Sequence, residues 1–330
     1  MTEQRPIQPT PVGALRFNTD SSKLEYFDGN QYVNITTDSP EQNTGGTRGL
    51  FGAGHPATNK IDFINIDTTG NAQDFGDRTT SNGNQAGACS SRVRGLFAGG
   101  HSNTNIIDFV TIASTGDAID FGDLEDACHG ITGFSDRTRG MFSGGTTPTL
   151  LNTIQFVTMS STGNTTDFGD INTASRNNSC CASPTRGVIL IAGYANTIEF
   201  VTISTTGNAA DFGDTTFTGG YGAGCSNAVR GLFMEGNATP SSRSTAVDFI
   251  TIATLGNGLD FGDLTDDNSL LSATASSTRA VRAGGQHASS EANIIDYAQI
   301  MTTGNFIDFG DLTGNYGGQG GCSNGHGGLG

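Results

Sequence analysis

The sequence predicts an all-β chain of repeated four-stranded units that close on themselves, and three recurring markers carry that reading. Asp-Phe-Gly-Asp starts at Asp74, Asp120, Asp167, Asp211, Asp260 and Asp308, in steps of 46, 47, 44, 49 and 48 residues. Arg-Gly keeps step with it at Arg48, Arg94, Arg139, Arg186 and Arg230, with Arg-Ala at Arg279. So does a triplet of Ile or Val, a polar residue and an aromatic, starting at Ile61, Ile107, Ile154, Ile198, Val247 and Ile295. A period of this size built from short β-type segments means a ring or stack of small sheets.

From the N terminus, residues 1–12 are polar and hold Pro6, Pro9 and Pro11, so they run extended without a ladder. They lack the apolar core of a signal peptide. Residues 13–20 form a short strand with Leu15 and Phe17 on one face. Residues 23–27 form a second, with Leu24 and Tyr26 on one face; Asp28-Gly29-Asn30 turns the chain and residues 31–35 return it. Three such strands cannot enclose a core. Leu15, Phe17, Leu24, Tyr26, Tyr32, Val33 and Ile35 are therefore the expected docking face of an attachment arm. Residues 37–47 are a linker by composition, so arm and linker span 1–46 and the repeat domain spans 47–330.

The unit over 84–126 gives the order of strands. Residues 87–91 are a short strand, and 94–100 an apolar one ending in Gly-Gly. Residues 106–113 are a longer strand, Thr115-Gly116-Asp117 a hairpin turn, and 118–123 the fourth strand. Four antiparallel strands per unit make a propeller blade. The first unit begins at Arg48 with no short strand before it, while residues 320–326 supply an orphan after the sixth Asp-Phe-Gly-Asp. Pairing the two removes both open edges, so the expectation is a six-bladed β-propeller closed by a C-terminal strand.

Composition narrows the rest. The 49 glycines lack a three-residue period, which excludes collagen, and suit many tight turns. A net charge of −16 with only Lys23 and Lys60 as lysines repels phosphate backbones, so no nucleic-acid partner is expected. The longest apolar run, residues 188–192, is far too short to insert in a membrane. Cys89, Cys181, Cys225 and Cys322 fall at one repeat position, which Phe134 and Thr274 fill in the other copies. A position that accepts Cys, Phe or Thr reads as buried packing, not as a disulfide framework or metal site.

Two resemblances follow from these residues. GALRFNTDSSKLEYFDGNQYVNI, residues 13–35, resembles the short G-x-x-R-[FY]-N-T-[ND] segment with downstream E-x-[FY]-[DN]-G-x-x-[WY] that recurs in tail-fibre and other virion proteins of tailed bacteriophages, cyanophages included. Tyr32 stands where Trp is common. The resemblance implies a virion component. The blade layout resembles the kelch repeat, with Phe109-type and Phe121-type residues in place of the kelch Tyr and Trp, and it implies fold more than function.

No catalytic constellation stands out from the repeats, so no enzyme activity, cofactor or metal is expected. Asp-Phe-Gly matches a kinase magnesium motif by letters alone, without its partners. Paired acids such as Asp120 and Asp123 offer too few oxygens for calcium, which wants six to eight. The expected role of the Asp123-type carboxylates is to cap turns or to pair with Arg94-type guanidiniums as a ladder. His55, His101 and His287 follow the diglycine as loop residues; His129 and His326 lie elsewhere.

Loops diverge where scaffold positions repeat, as on a surface that reads a partner or as in loops that drift because nothing constrains them. The candidate receptor-facing residues are Thr146, Thr147, Leu150, Tyr194, Asn237, Ser241, Arg243, Gln286 and His287. The reading is a phage particle-surface protein, a tail fibre or similar appendage. Its arm docks on other virion proteins, with trimerisation through the arm, and its propeller meets a host-surface glycan or receptor. Purely architectural decoration and a glycan-active enzyme are the alternatives.

Overall fold

The computed structural model describes residues 11–18, 23–34, 46–81, 85–193, 195–239, 241–287 and 290–330. The chain divides into two compact units, Met1–Asn43 and Thr44–Gly330.

In the first unit, strands Leu15–Asn18, Lys23–Phe27 and Tyr32–Asn34 form one antiparallel sheet. Leu15 lies opposite Tyr26, Phe17 opposite Leu24, and Tyr26 opposite Val33, which puts these five on one face. The other face is polar and self-satisfied. Arg16 Nε donates to Glu25 Oε2 at 2.7 Å, Asn18 Nδ2 donates to Glu25 Oε1 at 2.9 Å, and the Arg16 guanidinium lies 3.6 Å from the Tyr32 ring centre. The Arg, Asn and Glu of the arm motif thus hold the sheet together.

The second unit contains six four-stranded antiparallel sheets. Sheet I takes Gly320–Ser323 as its first strand, followed by Arg48–Gly54, Thr58–Asn65 and Gln73–Asp77. The far end of the described chain therefore pairs with its start, Cys322 opposite Leu50. Sheet II is Gly87–Ser90, Arg94–Ala98, Thr104–Thr111 and Ile119–Cys128. Sheet III is Thr132–Ser135, Arg139–Ser143, Thr153–Thr158 and Thr166–Asp170. Sheet IV is Ser179–Ala182, Arg186–Leu190, Ala195–Thr202 and Ala210–Gly219. Sheet V is Ala223–Ser226, Arg230–Met234, Ala246–Thr251 and Leu259–Asp263. Sheet VI is Ser272–Ala275, Arg279–Ala283, Ile294–Gln299 and Ile307–Asp311.

The Asp-Phe-Gly-Asp marker is an inter-sheet clasp. From sheet II to sheet III, Gly163 N–H donates to Phe121 O at 2.8 Å and Thr165 N–H to Asp123 O at 2.9 Å. Asn164 Oδ1 accepts the Asp123 N–H at 3.1 Å. The hairpin turn of the next sheet is thereby stitched to the fourth strand of the one before. The same bonds run from sheet VI to sheet I, where Gly70 and Ala72 donate to Phe309 O and Asp311 O and Asn71 Oδ1 accepts from Asp311. Gly122 has φ +151°, and a Cβ there would meet the Gly163 carbonyl carbon at 2.5 Å, so this position admits glycine alone.

The expected ladder between Arg94-type guanidiniums and Asp123-type carboxylates does not form. Arg94 lies 4.8 Å from the centre of the Phe109 ring in its own sheet, and its Nη1 donates to Met159 O in the next sheet at 3.0 Å. Every copy repeats this; Arg279 closes the series with Tyr297 and Ile66 O at 3.0 Å. Aromatic stacking keeps the cation in a site where a backbone carbonyl is the nearer acceptor. The stacked ring packs edge-on against the motif Phe, 5.7 Å between Phe109 and Phe121.

The glycine of Arg-Gly also has a neighbour to admit. A Cβ on Gly140 would lie 2.8 Å from Cys89 Sγ of the preceding sheet, and one on Gly95 would lie 3.2 Å from Cys322 Sγ. Cys89, Cys128, Cys180, Cys181, Cys225 and Cys322 are all buried and form no disulfide. Burial pushes the thiols of Cys128, Cys180, Cys225 and Cys322 up to about 12.

The polar residue of the third marker is buried in each sheet. It bonds the segment that follows Asp-Phe-Gly-Asp in the preceding sheet. Asp62 accepts from Thr313, Glu199 from Asn172 N–H, Asp248 from Thr216 and Asp296 from Thr265. Two arginines join this layer in fully buried ion pairs, Arg78 with Asp108 at 2.9 Å and Arg282 with Asp296 at 2.8 Å.

Candidate functional site

Long loops after the second strands build small ribbons on sheets III, V and VI. Thr146–Thr147 pairs with Thr149–Leu150, Asn237–Thr239 with Ser242–Arg243, and Gln286–His287 with Ser290–Glu291. Each ribbon is rooted by a bridge from its first residue to the residue entering the same sheet: Thr146 to His129, Asn237 to Gly220, Gln286 to Ser269. Rooting buries Thr146, which corrects its reading as a receptor-facing residue. Thr147, Asn237, Arg243 and Gln286 are half-buried, while Leu150, Ser241 and His287 are exposed at the tips. Tyr194 lies outside the described residues, as does Ile35 of the arm.

The histidines are engaged in separate contacts. His55 Nδ1 lies 2.6 Å from Glu291 Oε1, tying the loops of sheets I and VI. His129 meets Asn103 Oδ1 at 2.6 Å and Arg176 Nη1 at 3.1 Å, with the His101 ring edge-on at 5.6 Å. Burial, then Arg176 and His101, push the His129 pKa below the ordinary imidazole value. His287 sits beside Asp266 and Asp267, its Nδ1 3.0 Å from Asp267 Oδ1, and the three donor atoms lie within 4.8 Å of one another. Three donors on half-buried and exposed loops fall short of calcium's needs.

A concavity to which all six sheets contribute lies between their first strands. It encloses about 90 Å³ and is lined by Ala88, Gly133, Cys180, Gly224, Ala273 and Gly321 together with the residues that precede them. Among the described residues, no Asp, Glu, Lys, Arg or His lines it. At its mouth Gln85, Gly130, Asn177, Tyr221, Leu270 and Gly318 share a left-handed backbone, φ between +54° and +69°. They bond head to tail: Gly130 N–H to Gln85 O, Asn177 to Gly130, Leu270 to Tyr221, Gly318 to Leu270 and Gln85 to Gly318, at 2.7–2.9 Å. Differing side chains hide this position in the sequence, because the shared property is backbone shape.

The opposite end is floored by a short 3₁₀ turn, Gly327–Leu329. Its cap His326 accepts the Gly328 N–H on Nδ1 at 3.2 Å, so the ring proton sits on Nε2, which donates to Ser90 O at 3.0 Å. Arg92 Nη2 and Arg137 Nε donate to Leu329 O at 3.1 and 2.7 Å. A deeper recess of about 50 Å³ above His326 is lined by the same first strands.

On the arm, Leu15 and Phe17 are 63% and 61% exposed, and Leu24 and Tyr26 lie exposed beside them. Val33 shares that face half-buried, whereas Tyr32 lies on the opposite face beneath Arg16, which corrects its place in the expected docking face. Among the described residues, no helix is long and apolar enough to cross a membrane. No family model matches the chain, and no curated protein matches it.

Proposed function

We propose that the protein is a phage virion component. Its six sheets close into a kelch-like six-bladed β-propeller, and its N-terminal arm docks on the particle. The observation that carries the docking role is the apolar face of Leu15, Phe17, Leu24 and Tyr26, uncovered on a sheet whose opposite face is already satisfied by Arg16, Asn18 and Glu25. Full burial of one such side chain contributes about 1.5–3 kcal/mol, so a neighbour that covers all four gains enough to hold the arm. The resemblance of residues 13–35 to tailed-phage tail-fibre segments supplies the identity of that neighbour as a particle protein.

Closure of the propeller is supported by the clasp repeated between sheets VI and I and by the pairing of Gly320–Ser323 with Arg48–Gly54. The propeller is displayed for attachment to a host-surface glycan or receptor through the ribbon tips Leu150, Ser241 and His287 and the mouth of the shared concavity.

Labelled antibodies against the second unit, viewed on intact particles by electron microscopy, test the assignment. Decoration of tail or appendage is expected; particles that carry no label would sink it. Binding of the purified protein to host cells separates attachment from decoration, and release of sugar from host polysaccharide would instead favour the enzyme alternative.

A further inference from the structure

We infer that the concavity between the six first strands is a blind binding site for one small neutral polyhydroxylated unit, a single sugar residue, held by main-chain groups. In sheet II the Ser91 N–H donates to Arg94 O, which places Cys89 and Gly87 in the hydrogen-bonded pairs with the second strand. Ala88 and Ser90 therefore turn their N–H and C=O away from their own sheet. The same parity holds where Asp136, Ser183, Asn227, Ser276 and Asn324 donate to the first residue of the second strand.

At the Ser90 level these outward groups find partners: Ser135 Oγ serves Ser90, Ser226 Oγ serves Ala182, and Ser323 Oγ donates to Ala275 O. One level nearer the mouth, Ala88, Gly133, Cys180, Gly224, Ala273 and Gly321 line the cavity and by the same parity turn their N–H and C=O away from their own sheets toward it. Their side chains are too small to help. A Cβ on Gly224 would stand 2.5 Å from Cys180 O, and Cβ atoms on Gly133 and Gly321 would press closer still on Ala88 O and Ala273 O. These glycines have ordinary strand backbone, so what they leave open is the neighbouring peptide.

Buried peptide groups must be satisfied, by water or by a ligand. Six donors alternating with six acceptors carry no net charge, and among the described residues no acidic or basic side chain lines the walls. Hydroxyls, which donate and accept, match that ring, whereas an anion would leave half of it facing the wrong sign. The space is right for one unit: about 90 Å³ corresponds to roughly six to nine waters. The turn at Gly327–Leu329 shuts the far end, so a glycan enters end-on by its terminal residue and cannot thread through. Tyr221 at the mouth adds an aromatic face for the sugar's C–H side.

This inference rests on the attachment reading only for the source of the sugar. The full chain is titrated calorimetrically with glucose, galactose and N-acetylglucosamine, with inorganic phosphate as the charged control. A structure determined after soaking the same sugars locates what is bound. The expected result is millimolar binding of at least one neutral sugar, density for it against Gly133, Gly224 and Gly321, and no response to phosphate. Gly224→Ala, which covers the Cys180 carbonyl, weakens binding tenfold or more, and Gln85→Leu at the mouth leaves the fold intact because Leu270 holds the equivalent backbone. Water alone in the soaked cavity, equal binding of phosphate, or sugar bound elsewhere overturns the assignment. Cell attachment with a water-filled cavity leaves the attachment reading standing. Free-sugar binding without any cell or polysaccharide binding reverses that outcome and assigns the site to a soluble metabolite.

Discussion

Replacing Gly122 by Ala tests whether the repeated motif is an inter-sheet clasp or a local turn. Two costs separate cleanly here because the adjoining turn carries a control. Gly116 has φ +154° with nothing within 4 Å of an added methyl, so Gly116→Ala incurs only the backbone penalty, about 1–3 kcal/mol. Gly122 has nearly the same φ, +151°, but its methyl would lie 2.5 Å from the Gly163 carbonyl carbon. Displacing that peptide strains the bonds donated by Gly163 and Thr165 and the one accepted by Asn164, each contributing about 1 kcal/mol, so Gly122→Ala is expected to cost about 2–3 kcal/mol beyond Gly116→Ala. Urea unfolding gives the difference from the midpoints, provided the slope is unchanged. Equal midpoints for the two variants would refute the clasp. Gly310→Ala extends the test to closure, since its methyl would meet Gly70 C at 2.6 Å across sheets VI and I. Should it cost no more than Gly116→Ala, the first and last sheets are not joined.

The remaining predictions concern buried groups. Arg282 stands where sheets I and V have Phe51 and Phe233 beside Asp62 and Asp248, so Arg282→Phe, which leaves Asp296 the Thr265 donors that Thr313 and Thr216 supply in those sheets, is expected to cost less than removal of the acid. Asp296→Ala strands the buried guanidinium and costs about 3–5 kcal/mol by the same denaturation assay. His326 is held neutral by burial, its pKa below the ordinary 6.5, with Ser90 O and Asp136 opposing and Arg92 reinforcing the shift. The unfolded chain binds a proton that the folded one refuses, so stability is intact above pH 6.5. Below it, stability falls by at most about 1.4 kcal/mol per pH unit. His326→Gln should flatten that slope in pH-dependent melting, leaving the fall of the same sign from His129. Thiol titration with an aromatic disulfide reagent is expected to find the six buried cysteines unreactive in the native protein and all reactive in denaturant.

Strand order and the unit of four strands are legible because they rest on periodicity: alternation, Gly-Gly ends and Thr-Gly-Asn turns declare themselves in letters. What the markers bind is not. Residue types advertise charge pairs, so Arg94 reads as seeking a carboxylate, but its acceptor is the Met159 carbonyl, and every residue owns a carbonyl. The buried role of Asp108 and Asp296 is hidden for the opposite reason. An acid between two apolar residues on a strand reads as solvent-facing until a neighbouring sheet covers it with Thr79 or Thr265. Thr146 reads as loop surface because the root and the tip of a ribbon have similar composition. The mouth of the cavity leaves no trace at all, its six positions sharing φ and nothing else.

This division also bears on where recognition resides. The motif Phe, Gly and Asp, the repeated arginine and the buried polar residue of the third marker spend their bonding capacity on the adjacent sheet, six times over. A group whose donors and acceptors are already met inside the fold has little left to offer a partner, and altering one copy disturbs two sheets at once. On the proposed attachment role, binding falls to groups outside these repeated contacts: the ribbon tips, the outward peptides of the first strands, and the exposed face of Leu15 and Phe17. The first of these can vary without touching the clasps, because Leu150, Ser241 and His287 stand beyond the bridges that root their ribbons. The second cannot vary by side chain, since it is made of backbone. A protein built this way can change its loop contacts freely while the cavity keeps one chemistry, and exchange of ribbon sequences should redirect surface binding without altering sugar affinity.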